Sequence, residues 1–246
     1  MSTNAEALPT IEWGQGEKIL VFLHYFGGAA QSWKWVAEGM PNHRSITMDL
    51  PGFGGTTAPE KPSIQYYSEA VCQTLASLNI EEYILIGHSM GGKIALQAAL
   101  LADKPPQKVV LVAPSPPTTE PMPQEEKERM LNNHPSEENA KITIKNATQK
   151  PLNNEQYDLA IKTHIDVDQK VWRWWLLDGM NHSIADQVSQ LRIPVTVIAS
   201  KDDPVIPYNV IQSDVTNIIP SAKLITTQNV GHLIPLEAAG WLAEQL

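Results

Sequence analysis

The feature that most constrains this chain is an alternation of short, β-branched apolar runs with longer stretches of helical periodicity. The runs are Ile19–His24, Ser45–Leu50, Tyr83–Gly87, Val109–Ala113, Pro194–Ser200 and Leu224–Thr227. Several are apolar at every position, the pattern of strands covered on both faces. Helical patterns fall at Ile64–Leu78, Met90–Leu101, Pro207–Val215, where the proline suits a first turn, and Leu233–Leu246. Strand-then-helix repetition predicts an α/β chain with a mostly parallel central sheet flanked by helices. Thr10–Trp13 predicts an extra edge strand, turning through Gly14-Gln15-Gly16 into the first long one.

The alternation fails once. From about Pro114 to Gln190 no strand pattern occurs, only proline punctuation, acidic helix starts and amphipathic pieces. Pro114-Ser115-Pro116-Pro117 cannot continue a helix and reads as a linker. Lying between two strands, the stretch predicts a helical cap over the sheet's C-terminal edge. The expected division is a core of residues 1–114 and 191–246 with a cap at 115–190. A chain of 246 residues suits one such domain better than two small ones.

Composition narrows the partners. With 42% apolar and 18% charged residues the chain can bury a sizeable core. A net charge of −9 and no basic cluster make nucleic acid and anionic membrane surfaces poor partners. The single cysteine, Cys72, precludes an intrachain disulfide and is expected as a buried structural thiol. MSTNAEALPT has neither a basic start nor an apolar core, so no signal peptide is expected. No apolar run approaches the ~20 residues that span a bilayer. The expectation is a cytoplasmic protein; homo-oligomerisation is left open.

The segment Tyr83-Ile-Leu-Ile-Gly87-His88-Ser89-Met90-Gly91-Gly92 carries the strongest chemical signal. A strand runs into G-x-S-x-G and a helix follows at once. Such a turn holds its serine in a strained conformation and needs neighbours almost free of side chain. It projects the hydroxyl above the sheet, in front of a helix N-terminus that favours negative charge. The alternative is a glycine-rich turn with an incidental serine.

A serine needs a base, and the base a partner that fixes its tautomer. Of seven histidines, His232 follows the last strand and so projects from the same edge as Ser89. His24 ends a strand and reads as a turn-stabilising residue. His88 adjoins the serine and points sideways, so it is expected to line a pocket. His43, His134, His164 and His182 lie in loops or the cap, where solvation is the plain expectation. For the acid, Asp202 and Asp203 both follow the strand PVTVIAS, and spacing alone leaves the choice open. Leu23-His24-Tyr25-Phe26-Gly27-Gly28 can offer a backbone N–H to an oxyanion beside that of Met90, or can be a turn that needs glycine for geometry alone. No H-E-x-x-H pair or thiolate set indicates a metal, and the glycines lack dinucleotide spacing, so no cofactor is expected.

Together LHYFGG, DLPGFGGT, IGHSMGG, SKDDPVIP and VGHLIPLE resemble the α/β-hydrolase fold family, in its capped, esterase-like branch, across nearly the whole chain. The order, nucleophile then acid then histidine, is that family's. The resemblance implies Ser89 as nucleophile, His232 as base, Asp203 as acid and the amides of Phe26 and Met90 as oxyanion donors. Two departures stand out: Tyr25 where glycine is usual, and Ser200 where the acid loop commonly has glycine. Serine at position 89 argues against epoxide hydrolases and haloalkane dehalogenases, which use aspartate.

In Val171–Leu177, Trp172, Trp175 and Leu176 share a helical face and either roof a substrate pocket or attach the cap to the core. The expected activity is hydrolysis of a small carboxylic ester through an acyl-enzyme. The same machinery serves lactonases, C–C bond hydrolases and cofactor-free perhydrolases, and a non-turnover ligand sensor is the alternative outside catalysis.

Overall fold

A computed structural model describes residues 7–246; residues 1–6, most of the segment expected to hold no signal peptide, lie outside the described residues. Seven strands form one sheet: β1 (Thr10–Trp13), β2 (Ile19–Leu23), β3 (Arg44–Met48), β4 (Ile84–His88), β5 (Lys108–Val112), β6 (Val195–Ser200) and β7 (Ala222–Thr227). Their spatial order is β1-β3-β2-β4-β5-β6-β7. All pairs are parallel except β1 with β3. The edge strand therefore pairs not with β2, into which its turn leads, but with β3.

Unbroken apolar runs have a direct cause here. Along β2, Val21 and Leu23 enter one core cluster while Leu20 and Phe22 enter another on the opposite face. Successive side chains in a strand point to opposite faces, and here both faces are covered. Helices α2 (Ile64–Ser77) and α3 (Met90–Leu101) cover one face, contributing Ile64, Val71, Met90 and Ile94. The other face is covered by a 3-10 turn (Ala30–Trp33), α1 (Lys34–Glu38) and the C-terminal end of the chain.

Between β5 and β6 lie five helices and no strand: α4 (Gln124–Asn132), α5 (Glu137–Ala147), α6 (Asn154–Ile165), α7 (Gln169–Leu177) and α8 (Ala185–Val188). Three differences from the sequence reading have local causes. The turn and short helix at 30–38 span too few residues to display a period. The stretch predicted as helix over 207–215 is one turn, α9 (Tyr208–Val210), continued by a π-helical segment Ile211–Thr216. The last predicted helix is broken into α10 (Ile234–Glu237) and α11 (Ala239–Ala243) because Ala238 leaves the helical region, at φ −141°, ψ 39°.

The chain runs from β3 back across the sheet to β4, so the loops leaving β2 and β4 diverge at the centre. Such a switch point in an open parallel sheet opens a crevice at the strands' C-terminal ends.

Candidate active site

At that crevice the elbow after β4 takes the conformation its glycines predict. Ser89 sits at φ +52°, ψ −118°, in a region L-residues rarely occupy. Its N–H donates to the Val112 carbonyl (3.0 Å), and its own carbonyl accepts from Ser115 (3.1 Å) and Gly92 (2.8 Å). The turn needs Gly91 for close approach: a Cβ there would stand 2.5 Å from the Leu23 and His24 carbonyl oxygens.

The structure brings Ser89, His232 and Asp203 into one chain of hydrogen bonds. His232 Nε2 lies 2.9 Å from Ser89 Oγ, and His232 Nδ1 lies 2.8 Å from Asp203 Oδ2. Because a carboxylate only accepts, Nδ1 carries the proton and Nε2 is left to accept from the serine. Burial opposes a charge on His232, but the charge and hydrogen bond of Asp203, with Glu120 and Glu237 adding, hold its pKa above the usual histidine value.

Asp203 is fixed from its other oxygen: Oδ1 accepts from Val205 N (2.8 Å) and Ile206 N (2.9 Å). Asp202 turns away and ties the loop by accepting from Asn229 N (2.6 Å). Ser200, the departure noted in the acid loop, is buried; its hydroxyl donates to the Val230 carbonyl and accepts from Asp202 N (3.2 Å). One hydroxyl thus stitches the acid loop to the histidine loop.

The histidine loop is anchored a second way. Glu237 at the end of α10 accepts from Gly231 N (3.0 and 2.9 Å), and also from Gln149 N and Lys150 N (2.8 Å each) just beyond α5. His232 N donates to the Ala147 carbonyl at 2.7 Å. The loop bearing His232 is therefore bonded directly to the helical insertion.

Phe26 and Met90 sit where the sequence puts them, after β2 and at the first residue of α3. Leu23 pairs with Gly87 across the two strands, so the loops emerge side by side. Among the described residues neither amide N–H meets a protein acceptor. The Phe26 ring packs on Trp172 at 4.4 Å between centroids, which fixes the loop despite Tyr25 preceding it.

A cavity of about 290 Å³ opens beside Ser89 and His232, walled by Phe26, Met122, Ile144, Trp175 and Leu233 among others. Two expected pocket residues are displaced. His88 does not line this cavity: it is fully buried beneath, donating from Nε2 to the His232 carbonyl (2.9 Å), and burial keeps it neutral. Trp172 also falls outside the lining; its ring stacks on His134 (4.1 Å, 8°) and its Nε1 donates to the Met130 carbonyl. Of the aromatic face only Trp175 reaches the cavity, while Trp172 packs within the insertion.

His24 is turn-stabilising as read: Nδ1 donates to the Tyr25 carbonyl (2.8 Å) and Nε2 accepts from Leu50 N (3.2 Å). Burial lowers its pKa to about 4, which keeps the ring neutral. His134 and His164 are not solvated but buried, and His164 lines the cavity with its pKa pushed down to about 3, first by burial. Cys72 is only partly buried, against the Ala98 carbonyl.

Sequence reasoning missed two buried charges. Lys93, on the first turns of α3, spends its ammonium on the carbonyls of Thr118, Met180 and His182 (2.9, 3.2 and 3.1 Å). A lone lysine in an otherwise uncharged helix was a readable signal. Glu120, in the cavity wall, lies in proline-rich punctuation that carries none.

Residues 18–140, half of the chain, match the family model described as the alpha/beta hydrolase fold. The chain belongs to the α/β-hydrolase fold family. The fold is shared with an esterase from Exiguobacterium antarcticum (TM-score 0.88, 16% identity, covering 96% of this chain and 92% of that one). It is likewise shared with a meta-cleavage product hydrolase from Pseudomonas fluorescens IP01 (TM-score 0.82, 19% identity, 96% and 91% covered). In sequence, 80 residues are 39% identical to 2-succinyl-6-hydroxy-2,4-cyclohexadiene-1-carboxylate synthase from Escherichia coli O7:K1. That match spans 32% of this chain and 32% of the relative. No helix among the described residues is long and apolar enough to cross a membrane.

Proposed function

We propose that this protein is a serine hydrolase that cleaves small carboxylic esters through an acyl-enzyme. The observation that carries the reading is the unbroken relay from Asp203 Oδ2 through His232 to Ser89 Oγ at the edge of a largely apolar cavity. Ser89 Oγ attacks the ester carbonyl while His232 Nε2 takes its proton, and Asp203 steadies the imidazolium. The oxyanion is received by the amides of Phe26 and Met90, both free of protein acceptors among the described residues. His232 then returns the proton to the leaving alkoxide, and a water activated by the same histidine releases the acid. The segment 115–190 acts as a cap that excludes bulk water from these steps, with Trp175 in the wall.

The test is Ser89→Ala. The variant is expected to melt within a few degrees of the parent and to lose short p-nitrophenyl ester turnover by about three orders of magnitude or more. A fluorophosphonate should label Ser89 in the parent alone. Undiminished turnover in the variant would remove Ser89 from the mechanism; a panel of lactones and vinylogous diketones assigns the scissile bond.

A further inference from the structure

The loop that carries the Phe26 amide is held from outside the core. Tyr25–Gly28 forms a turn closed by Gly28 N, which donates to the Tyr25 carbonyl at 2.9 Å, with Gly27 at φ +89° in the third place, the type II arrangement. That bond does not engage the Phe26 N–H. Gly27 is buried, and its carbonyl accepts from no backbone donor among the described residues. The partner of that carbonyl is the hydroxyl of Thr163, on α6 of the insertion, at 2.8 Å. Thr163 is 5% exposed and does not line the cavity. Its single proton has one other carbonyl in reach, that of Ala160 at 3.3 Å, which belongs to the helical ladder of α6. The shorter contact, to an oxygen with no other partner, is the one the proton satisfies, since buried backbone carbonyls are almost always paired. The next residue of α6, His164, packs against the same spot: a Cβ on Gly27 would stand 2.8 Å from its Nδ1.

We infer that Thr163 is a positioning residue: by holding the Gly27 carbonyl, its hydroxyl fixes the turn in which the Phe26 amide meets the oxyanion, so that the insertion as well as the core sets the geometry of that donor. This rests on the serine-hydrolase reading and on the oxyanion site proposed within it. The loop's two supports from the insertion differ in kind. The apolar contact of Phe26 with Trp172 can slide, whereas a hydrogen bond to the Gly27 carbonyl fixes the rotation of its peptide plane. An oxyanion donor works mainly as charge develops on the substrate. A small displacement of that donor therefore lowers the rate while leaving ground-state binding nearly untouched.

The test is Thr163→Val, which keeps the shape of the side chain and removes the hydroxyl, beside Thr163→Ser, which keeps the hydroxyl. On p-nitrophenyl butyrate, well below the melting temperature, the valine variant should lose about tenfold or more in kcat/KM, and the serine variant should stay within about threefold of the parent. Affinity for a trifluoromethyl ketone, which adds to Ser89 and leaves an anionic oxygen where the ester's would form, should fall in step. Affinity for N-butylbutyramide, a neutral mimic of the bound ester, should change by less than about twofold. A valine variant that merely melts lower, with kcat/KM of the folded protein within about twofold of the parent, makes Thr163 structural alone and overturns the inference. Equal losses of affinity for the ketone and the amide overturn it as well. Should the valine variant not fold, Thr163→Ala carries the same expectations and the same overturning outcomes. A parent that neither hydrolyses p-nitrophenyl esters nor takes the fluorophosphonate at Ser89 fails the hydrolase reading, and the inference falls with it. An active, labelled parent with an unimpaired valine variant overturns the inference alone.

Discussion

At the scale of single residues, the proposed chemistry depends on which nitrogen of His232 carries its proton, and Asp203 sets this through Nδ1. The direction of the His232 shift has two opposite consequences. Its folded pKa is raised above the unfolded value of about 6.5. The stability it contributes is therefore fully present below about pH 6.5 and is lost as pH rises through the folded pKa. Activity moves the other way, since only the neutral imidazole can take the serine proton, and kcat/KM should climb through that same folded pKa. Asp203→Asn should lower kcat by about four orders of magnitude and move the remaining acidic limb to lower pH, read from a kcat/KM–pH profile. An unshifted limb would separate Asp203 from the titration of the base. Ser89 and His232 were legible because strand-end motifs fix their positions by spacing, whereas Asp203 was separated from Asp202 only by the family resemblance, since two adjacent carboxylates share one loop. Glu120 and His164 were not, because their burial depends on how the insertion folds back, which no local pattern records.

At the scale of elements, α7 divides its aromatic face between two tasks. Trp175 walls the cavity, whereas Trp172 is clamped among His134, His164 and Phe26 and bridges to α4 through the Met130 carbonyl. Trp172→Ala should therefore cost about 3–5 kcal/mol of stability in denaturant titration, the range for a large buried aromatic. A loss below 1 kcal/mol would show that the insertion does not depend on this anchor. The strands and α3 were readable because both faces of the sheet are buried and the periods are clean. The breaks near 211 and 238 were not readable, since each is one local departure in backbone conformation inside an otherwise helical composition.

At the scale of the whole molecule, one core cluster includes Leu85 and Val109 of the sheet together with Met130, Val171 and Trp172 of the insertion. Shared burial of this kind makes separate unfolding costly. Thermal melts followed by far-ultraviolet dichroism and by tryptophan fluorescence should coincide; two resolved transitions would mean that the insertion melts alone. The Glu237 carboxylate gives this coupling a mechanical meaning for catalysis. It grips the strand-end bend that carries the proton acceptor with one set of contacts and the end of α5 with another. An insertion fastened to the loop of His232 cannot swing wide without drawing the imidazole away from Ser89. For the ester hydrolysis proposed above, entry and exit then proceed by side chains parting at the rim, which ties the size of the ester admitted to the width of that gap.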